Sequence, residues 1–306
     1  MISLRQLRYF DALARCGHFG KAAEQCAVTQ PALSMQIQEL EKFLEVQLFE
    51  RGRGQVTLTN SGRSIAQRAA RILSDARDIA DLARQGGKPF SGPLGLGVIP
   101  SVAPYLLPGL LPLIRETYPD LGLRLRETQT EFLLRELLDG TLDLLLLALP
   151  VEDPAVETLR LFDDRFLLAI PRSKGMASHV RATPDMVESD KLLLLEEGHC
   201  FRDQALVFCG LEQIHNITTF GVSSLSTLLE MVANGFGMTL IPEISLGLET
   251  GRQGVRLMRF EDPEPKRVIG LAWRRSSPRR REFVELGELI TRTTEAARQQ
   301  AAAGLA

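Results

Sequence analysis

The sequence predicts a multi-domain chain: a small all-α head, one long helix, and a larger α/β body. Three observations carry that expectation. Apolar residues recur every three or four positions in three short segments before residue 45. A spacing of four, three, four, three, four then runs from Ile65 to Ala83. Beyond a Pro- and Gly-rich break at residues 88–93, short apolar runs alternate with helical patterns. At 306 residues the chain fits two or three compact domains, and its 44% hydrophobic and 24% charged fractions suit buried cores.

In the head, Leu4, Leu7, Phe10, Leu13 and Ala14 predict a first helix over 3–15, stopped by Gly17. Gly20 to Cys26 reads as a second, in which Ala22 and Ala23 permit a close crossing. Thr29-Gln30-Pro31 opens a third, with a capping hydroxyl and a proline in the first turn, where a missing N–H costs nothing. Leu33, Ile37, Leu40 and Leu44 share one of its faces. The opposite face, from Pro31 through Met35 to Gln38, is short-chained or polar and carries no charge. A solubilising helix displays charge; a helix entering a DNA major groove needs short side chains and amides, flanked by bases that hold phosphates. Gln30, Pro31, Ala32, Ser34 and Gln38 are the candidates for groove contact, and Arg5, Arg51 and Arg53 for phosphate. Gly52-Arg53-Gly54 reads as a hairpin tip with Gln55 to Leu58 returning, which makes residues 1–59 a winged helix-turn-helix. Residues 1–90 hold 13 Lys+Arg against 9 Asp+Glu, and the rest hold 23 against 29. A basic head on an acidic body suits that reading without requiring it. By pattern alone, a three-helix packing module with no DNA role also fits.

Thr59 caps a long helix that ends at Gly86-Gly87, within a linker spanning 60–87. Ile65, Ala69, Ile72, Ala76, Ile79 and Ala83 form a seam on a helix otherwise mainly Arg, Asp, Ser and Gln. Such a seam needs a partner, either a second subunit or its own domain.

The body covers 88–306, with lobe I at 91–161 plus 269–300 and lobe II at 162–268. Apolar runs at 94–99, 121–127, 142–149, 166–170, 191–195 and 238–241 predict buried strands in mainly parallel sheets. The chain is expected to cross between lobes near 162–165 and 266–269. Pro100-Ser101 precedes a helix near 105–118, aiming N–H groups into the crevice at the strand ends. Ser223-Ser224-Leu225 opens another helix that Gly235-Phe236-Gly237 ends, and a charged amphipathic helix over 279–300 closes the fold. Gly95-x-Gly97 does not make a nucleotide loop, and no Cys-x-x-Cys spacing suggests a metal. No cofactor and no metal are expected. No run approaches the roughly 18 apolar residues of a membrane span, so the cytoplasm is the expected compartment.

Leu7-x-x-Phe10, Phe19-x-x-Ala22-Ala23, Val28 to Ser34, Ile37-x-x-Leu40-Glu41 and Leu48-Phe49-Glu50-Arg51 together resemble the DNA-binding domain of LysR-type transcription regulators. The stretch from Phe220 to Pro242 resembles the second lobe of their regulatory domain. That resemblance implies a two-lobed, periplasmic-binding-protein-like body and linker helices paired antiparallel between subunits. It also implies a homotetramer, double-stranded promoter DNA as partner, RNA polymerase beyond it, and no enzymatic role.

Two further segments narrow the likeness. Leu195 to Leu206 with Cys209, and Ile99-Pro100-Ser101-Val102-x-Pro104-Tyr105 to Pro108, resemble the hydrogen-peroxide-sensing branch of the family. The branch implies Cys200 as the sensing thiol and Cys209 as the one that resolves it by an intrachain disulfide. Ser101, Thr130, His199, Arg202 and Asp203 would activate the thiolate or hold peroxide oxygens, and a cellular thiol reductant would reset the switch. At position 101, where the branch is expected to carry Thr, this chain has Ser. The chemistry is coherent: Cys200 precedes a helix start, Arg202 supplies a cation, and a sulfenic acid condenses with a second thiol. If helical, residues 200–209 would separate the cysteines by about 13 Å along the axis; if extended, by about 30 Å. A disulfide needs Cα atoms within about 7 Å, so oxidation implies remodelling. Cys16 and Cys26 read as core of the head. A regulator answering to a small metabolite in the inter-lobe cleft, and an enzyme using His199-Cys200, remain alternatives at this point.

Overall fold

A computed structural model describes residues 1–51, 56–84, 89–172, 180–188, 191–196, 201, 202, 204, 217–219, 221–249 and 253–303. It divides into two compact units, residues 1–88 (grouped with 138–141) and the rest.

The first unit contains α1 (Leu4–Cys16), α2 (Phe19–Gln25), α3 (Gln30–Leu44), β1 (Phe49–Arg51), β2 (Val56–Leu58) and α4 (Asn60–Arg84). Local chemistry sets each boundary. Ser3 Oγ accepts from Gln6 N–H while Gln6 Oε1 accepts from Ser3 N–H, a reciprocal cap that opens α1. Gly17, at φ 59°, closes it in the left-handed region. His18 caps α2, its Nδ1 accepting from Gly20 and Lys21 N–H. Thr29 occupies the position before α3, yet its hydroxyl makes no capping bond. Pro31 removes one of the two N–H groups such a hydroxyl normally reaches. Leu7, Tyr9, Phe10, Leu13, Ala22, Ala23, Leu33, Ile37, Leu40 and Leu48 fill the core between these helices. β1 and β2 pair antiparallel with Phe49 opposite Leu58, the two arms of the expected wing; the tip at 52–55 lies outside the described residues. Glu41 Oε1 accepts from Leu48 and Phe49 N–H, tying α3 to the start of the wing. Thr59 Oγ1 caps α4 through Gly62 N–H at 2.9 Å.

The second unit begins with β3 (Gly92–Val98), α5 (Ala103–Thr117), β4 (Leu121–Glu127), α6 (Thr130–Leu138), β5 (Leu144–Leu149) and the long β6 (Val156–Pro171). It continues through α7 (Pro184–Glu188), β7 (Leu192–Leu194), β8 (Ile217–Thr219), α8 (Leu225–Ala233) and β9 (Thr239–Pro242). After a 3-10 turn come α9 (Leu246–Glu249), β10 (Val255–Arg259), β11 (Lys266–Arg274) and α10 (Arg280–Ala303). The main sheet runs β10-β6-β11-β5-β3-β4, with β9 also against β6, and β7–β8 form a separate pair.

The sheet is mixed, which corrects the expectation of a mainly parallel one. β3 pairs parallel with β4 and β5, and β7 with β8, whereas β6, β9, β10 and β11 pair antiparallel. Two strands made the difference. β6 alternates half-buried and exposed positions over 157–161, and its 157–164 stretch includes Glu157, Arg160, Asp163 and Asp164. β11 begins Lys266-Arg267. Charge made both segments read as connections. β6 pairs with β11 over 156–165 and with β9 and β10 over 166–171, so one continuous strand runs through the segment expected as the first crossing, whereas β11, from Lys266, pairs only with β5 and the first part of β6. Phe166, Leu168, Leu192 to Leu195, Phe201, Leu228, Val232 and Leu240 share one core beyond the crossing. Among the described residues, no helix is long and apolar enough to cross a membrane.

Candidate functional site

On α3, Gln30, Pro31 and Gln38 are exposed and Ala32 and Ser34 half-buried, while Leu33, Ile37 and Leu40 lie in the core. Met35, 55% exposed, shares the outward face. An uncharged, donor- and acceptor-bearing surface on a helix held rigid from behind is what a base-reading helix requires. Arg5 is exposed on α1, with Nε donating to Tyr9 Oη at 2.7 Å and its guanidinium over the same ring. Arg51 ends β1; its side chain, and all of Arg53, lie outside the described residues.

The seam expected on α4 divides in two. Ala69 is buried in the head's own core, with Ile65 and Ala66 packed beside it. Farther along, Ile72 and Ile79 are 47% and 68% exposed, joined by Leu82, and Ala76 is half-buried; the Ala83 side chain is outside the described residues. The apolar face available to a partner therefore starts at Ile72, because the first turns of α4 are needed to close the head.

The second unit assembles a polar site at the carboxyl end of its parallel strands. β3 and β4 pair with Val98 opposite Glu127, and Ser101 and Thr130 each stand three residues further on. Register thus delivers both hydroxyls to the same sheet edge. The Ser101 Oγ accepts from Arg267 Nη1 at 2.7 Å, and its carbonyl accepts from Nη2 at 3.1 Å. Accepting from the guanidinium leaves the serine O–H able to donate. Arg267 Nε donates to Asp164 Oδ2 at 2.9 Å, an ion pair whose side chains are 1% and 0% exposed. Asp164 Oδ1 accepts from Ile244 N–H. The buried carboxylate compensates the buried cation and fixes its fork toward Ser101.

The guanidinium also stacks 5.0 Å from the Phe201 ring, which meets Phe166 edge-on at 5.3 Å. Phe201, Arg202 and Gln204 are helical, and Phe201 is buried. Two polar atoms of this unit, Thr130 Oγ1 and Gln204 Oε1, are buried without a hydrogen-bond partner. Such atoms cost free energy, and that cost is recovered when a polar guest occupies them. Cys200, Cys209, His199 and Asp203 lie outside the described residues.

Beside Ser101 opens a cavity of about 350 Å³ lined by Tyr105, Glu127, Leu195, Ser224 and Glu249 among others. Glu249 is buried, its Oε1 accepting from Ser226 Oγ at 2.9 Å and Tyr105 Oη at 3.2 Å. The sequence resemblance named Ser101 and Thr130 but gave no hint of Asp164, Gln204, Glu249 or Arg267. For Asp164 and Arg267 a signal existed: opposite charges inside two segments that must cross between lobes.

Residues 4–63 match the family described as bacterial regulatory helix-turn-helix protein, lysR family, and residues 87–295 match the LysR substrate binding domain. The DNA-binding transcriptional dual regulator OxyR of Escherichia coli is 41% identical over 289 residues, covering 94% of this chain and 95% of its own length. A full-length OxyR variant from Pseudomonas aeruginosa superposes with a TM-score of 0.82 at 36% identity, covering 95% of each chain. A hydrogen-peroxide-bound OxyR mutant from Corynebacterium glutamicum superposes at 0.69 with 35% identity, covering 99% of this chain and 95% of its own.

Proposed function

Because the chain belongs to the LysR family of bacterial transcription regulators, we propose that it binds promoter DNA through α3 and the wing and alters that binding when hydrogen peroxide oxidises Cys200. One observation supports the sensing role above the others: a fixed buried cation holds the Ser101 hydroxyl, and Thr130, at the corresponding position past the neighbouring strand, keeps a buried hydroxyl with unspent hydrogen-bonding capacity. A small neutral reactant with two donors and two acceptors is suited to such a place, whereas an extended anion is not.

The chemistry is two displacements. The Cys200 thiolate attacks one peroxide oxygen; the O–O bond breaks, the sulfur becomes a sulfenic acid, and hydroxide leaves to take up a proton as water. The Cys209 sulfur then attacks the sulfenic sulfur, the S–O bond breaks, and a second water departs. Ser101 and Thr130 orient the peroxide, and His199, Arg202 and Asp203 complete the set that activates the thiolate or holds peroxide. Phe201, wedged between Arg267 and Phe166, anchors the chain one residue beyond the sensing thiol, so remodelling of 200–209 must act against that anchor.

Pairing of α4 through Ile72, Ile79 and Leu82 would join two heads for a two-fold operator, and pairing of the regulatory domains would complete a tetramer. RNA polymerase is the partner downstream, a thiol reductant resets the switch, and the cytoplasm is where both act. Footprinting with reduced and peroxide-treated protein tests the reading: the protected region is expected to change on oxidation, and Cys200→Ser to abolish the change. Mass mapping that finds both thiols alkylatable after equimolar peroxide would overturn it.

The 350 Å³ cavity favours a second reading, a small-molecule effector between the lobes, since its volume lies within the range of ligand sites. Metabolite-dependent DNA binding in Cys200→Ser, without peroxide, would decide for that reading.

A further inference from the structure

We propose that Cys16 and Cys26 form a second oxidisable pair, inside the DNA-binding head, which a hydroperoxide converts to a disulfide tying α1 to α2. The two thiols share one neighbourhood. Arg8 Nη2, on α1, donates to the Cys26 carbonyl at 3.4 Å, so the end of α2 folds back along α1. The Cys16 thiol donates to Gln25 Oε1 at 3.1 Å, the side chain immediately before Cys26 in the chain. Ala12, Ala22 and Ala23 line the same cluster, and small residues let the two backbones approach closely.

Both cysteines stand at helix ends. Cys16 is the last residue of α1 and is followed by Gly17 at φ 59°; Cys26 caps α2 and is followed by Ala27 at φ 55°. Bringing the sulfurs to bonding distance therefore displaces backbone where the helical ladders already stop, and few hydrogen bonds are lost.

Reactivity sets the order of events. Burial pushes the Cys26 thiol above its usual range, Arg8 pulls the other way, and charge on Cys16 adds to the rise. Cys26 is thus a poor first nucleophile, and the half-buried Cys16 meets the oxidant. The Cys16 sulfur attacks one peroxide oxygen, the O–O bond breaks, and the departing oxygen takes the thiol proton as water. The Cys26 sulfur then displaces the second oxygen from Cys16, which leaves as water with the Cys26 proton. One peroxide is reduced and two thiols are oxidised. Cys26 is buried and Cys16 only half-buried, so the oxidant reaches the head pair slowly and the pair oxidises only at higher peroxide. Its bond would act as a brake, because Cys26 lies three residues before Thr29 and the turn between them sets α3 against α2.

The test uses the full chain carrying Cys200→Ser and Cys209→Ser, so that failure of the sensing loop and failure of the head pair are separable. After a peroxide titration, peptide mapping without reductant is expected to find Cys16 and Cys26 linked and lighter by two hydrogens. Operator affinity is expected to fall about tenfold and to recover on reduction. Adding Cys16→Ser should remove both effects. Two free head thiols at the end of the titration, a link that leaves DNA affinity unchanged, or an equal loss of affinity in Cys16→Ser would each overturn the proposal.

Discussion

Arg267→Met removes the cation from the buried Arg267–Asp164 pair and leaves the carboxylate in place. The structure sets the magnitude. Asp164 is 0% exposed and keeps its bond from Ile244 N–H, while the Ser101 carbonyl and hydroxyl each lose a charged donor. Breaking a buried pair by removing one member costs about 3–5 kcal/mol, most of it from the uncompensated charge. Replacing both members, as Arg267→Met with Asp164→Leu, removes that charge; the unpaired Ser101 carbonyl and Ile244 N–H cost about 1–3 kcal/mol each, offset by the roughly 1–4 kcal/mol that apolar replacement of a buried pair regains, for a net cost below that of the single variant. The chain's single tryptophan, Trp273, is buried on β11, so its emission during urea unfolding reports on this unit directly. The expected order is wild type, double variant, then Arg267→Met. A single variant costing under about 1 kcal/mol, or a double variant as costly as the single, would refute the assignment of a buried, charge-compensated pair.

Gly62→Ala places a methyl 2.1 Å from the Leu48 carbonyl oxygen, a backbone atom that also accepts from Thr59. Overpacking of this kind costs about 1–3 kcal/mol, and the thermal midpoint of the head should fall with it. Tyr118 donates to Glu285 at 3.0 Å; burial, then that bond, push its hydroxyl up to about 12. The stabilisation is complete below the unfolded value near 10 and is lost as pH rises toward 12, so Tyr118→Phe should flatten the alkaline fall in stability over that window. Gln38→Ala should weaken operator binding by about 1–3 kcal/mol and leave non-specific binding intact. Arg5→Ala should weaken both and lower the salt dependence by about one ion; equal losses of specificity in the two variants would remove the distinction between base and phosphate contact.

Much of this was legible in residue order. The boundaries of α1 to α4 follow from local chemistry: a serine cap, a left-handed glycine, Pro31 in a first turn, Thr59 before Gly62. The strands at 121–127 and 144–149 announce themselves by unbroken or alternating apolar residues. Ser101 and Thr130 were named through the resemblance to the peroxide-sensing branch, not through any spacing in the sequence. Arg267 and Asp164 were not, since their meaning depends on which strand lies beside which. The seam on α4 illustrates the same limit. Its heptad spacing is real, but Ala69 faces the head and Ile79 faces outward, and spacing is identical for the two surroundings.

Residue order by itself determined the local facts: where helices start and stop, which helical face is apolar, and which thiols and hydroxyls exist to react. These depend on neighbours within a turn or two, and local hydrogen bonding settles them. The tertiary structure alone decided the mixed sheet, the charge pair hidden at the crossing, and the division of α4 between core and exposed face. Those rest on groups well beyond a turn or two apart in the chain, Asp164 and Arg267 by 103 residues, meeting without water between them. A charge in the sequence looks solvated until its partner closes over it.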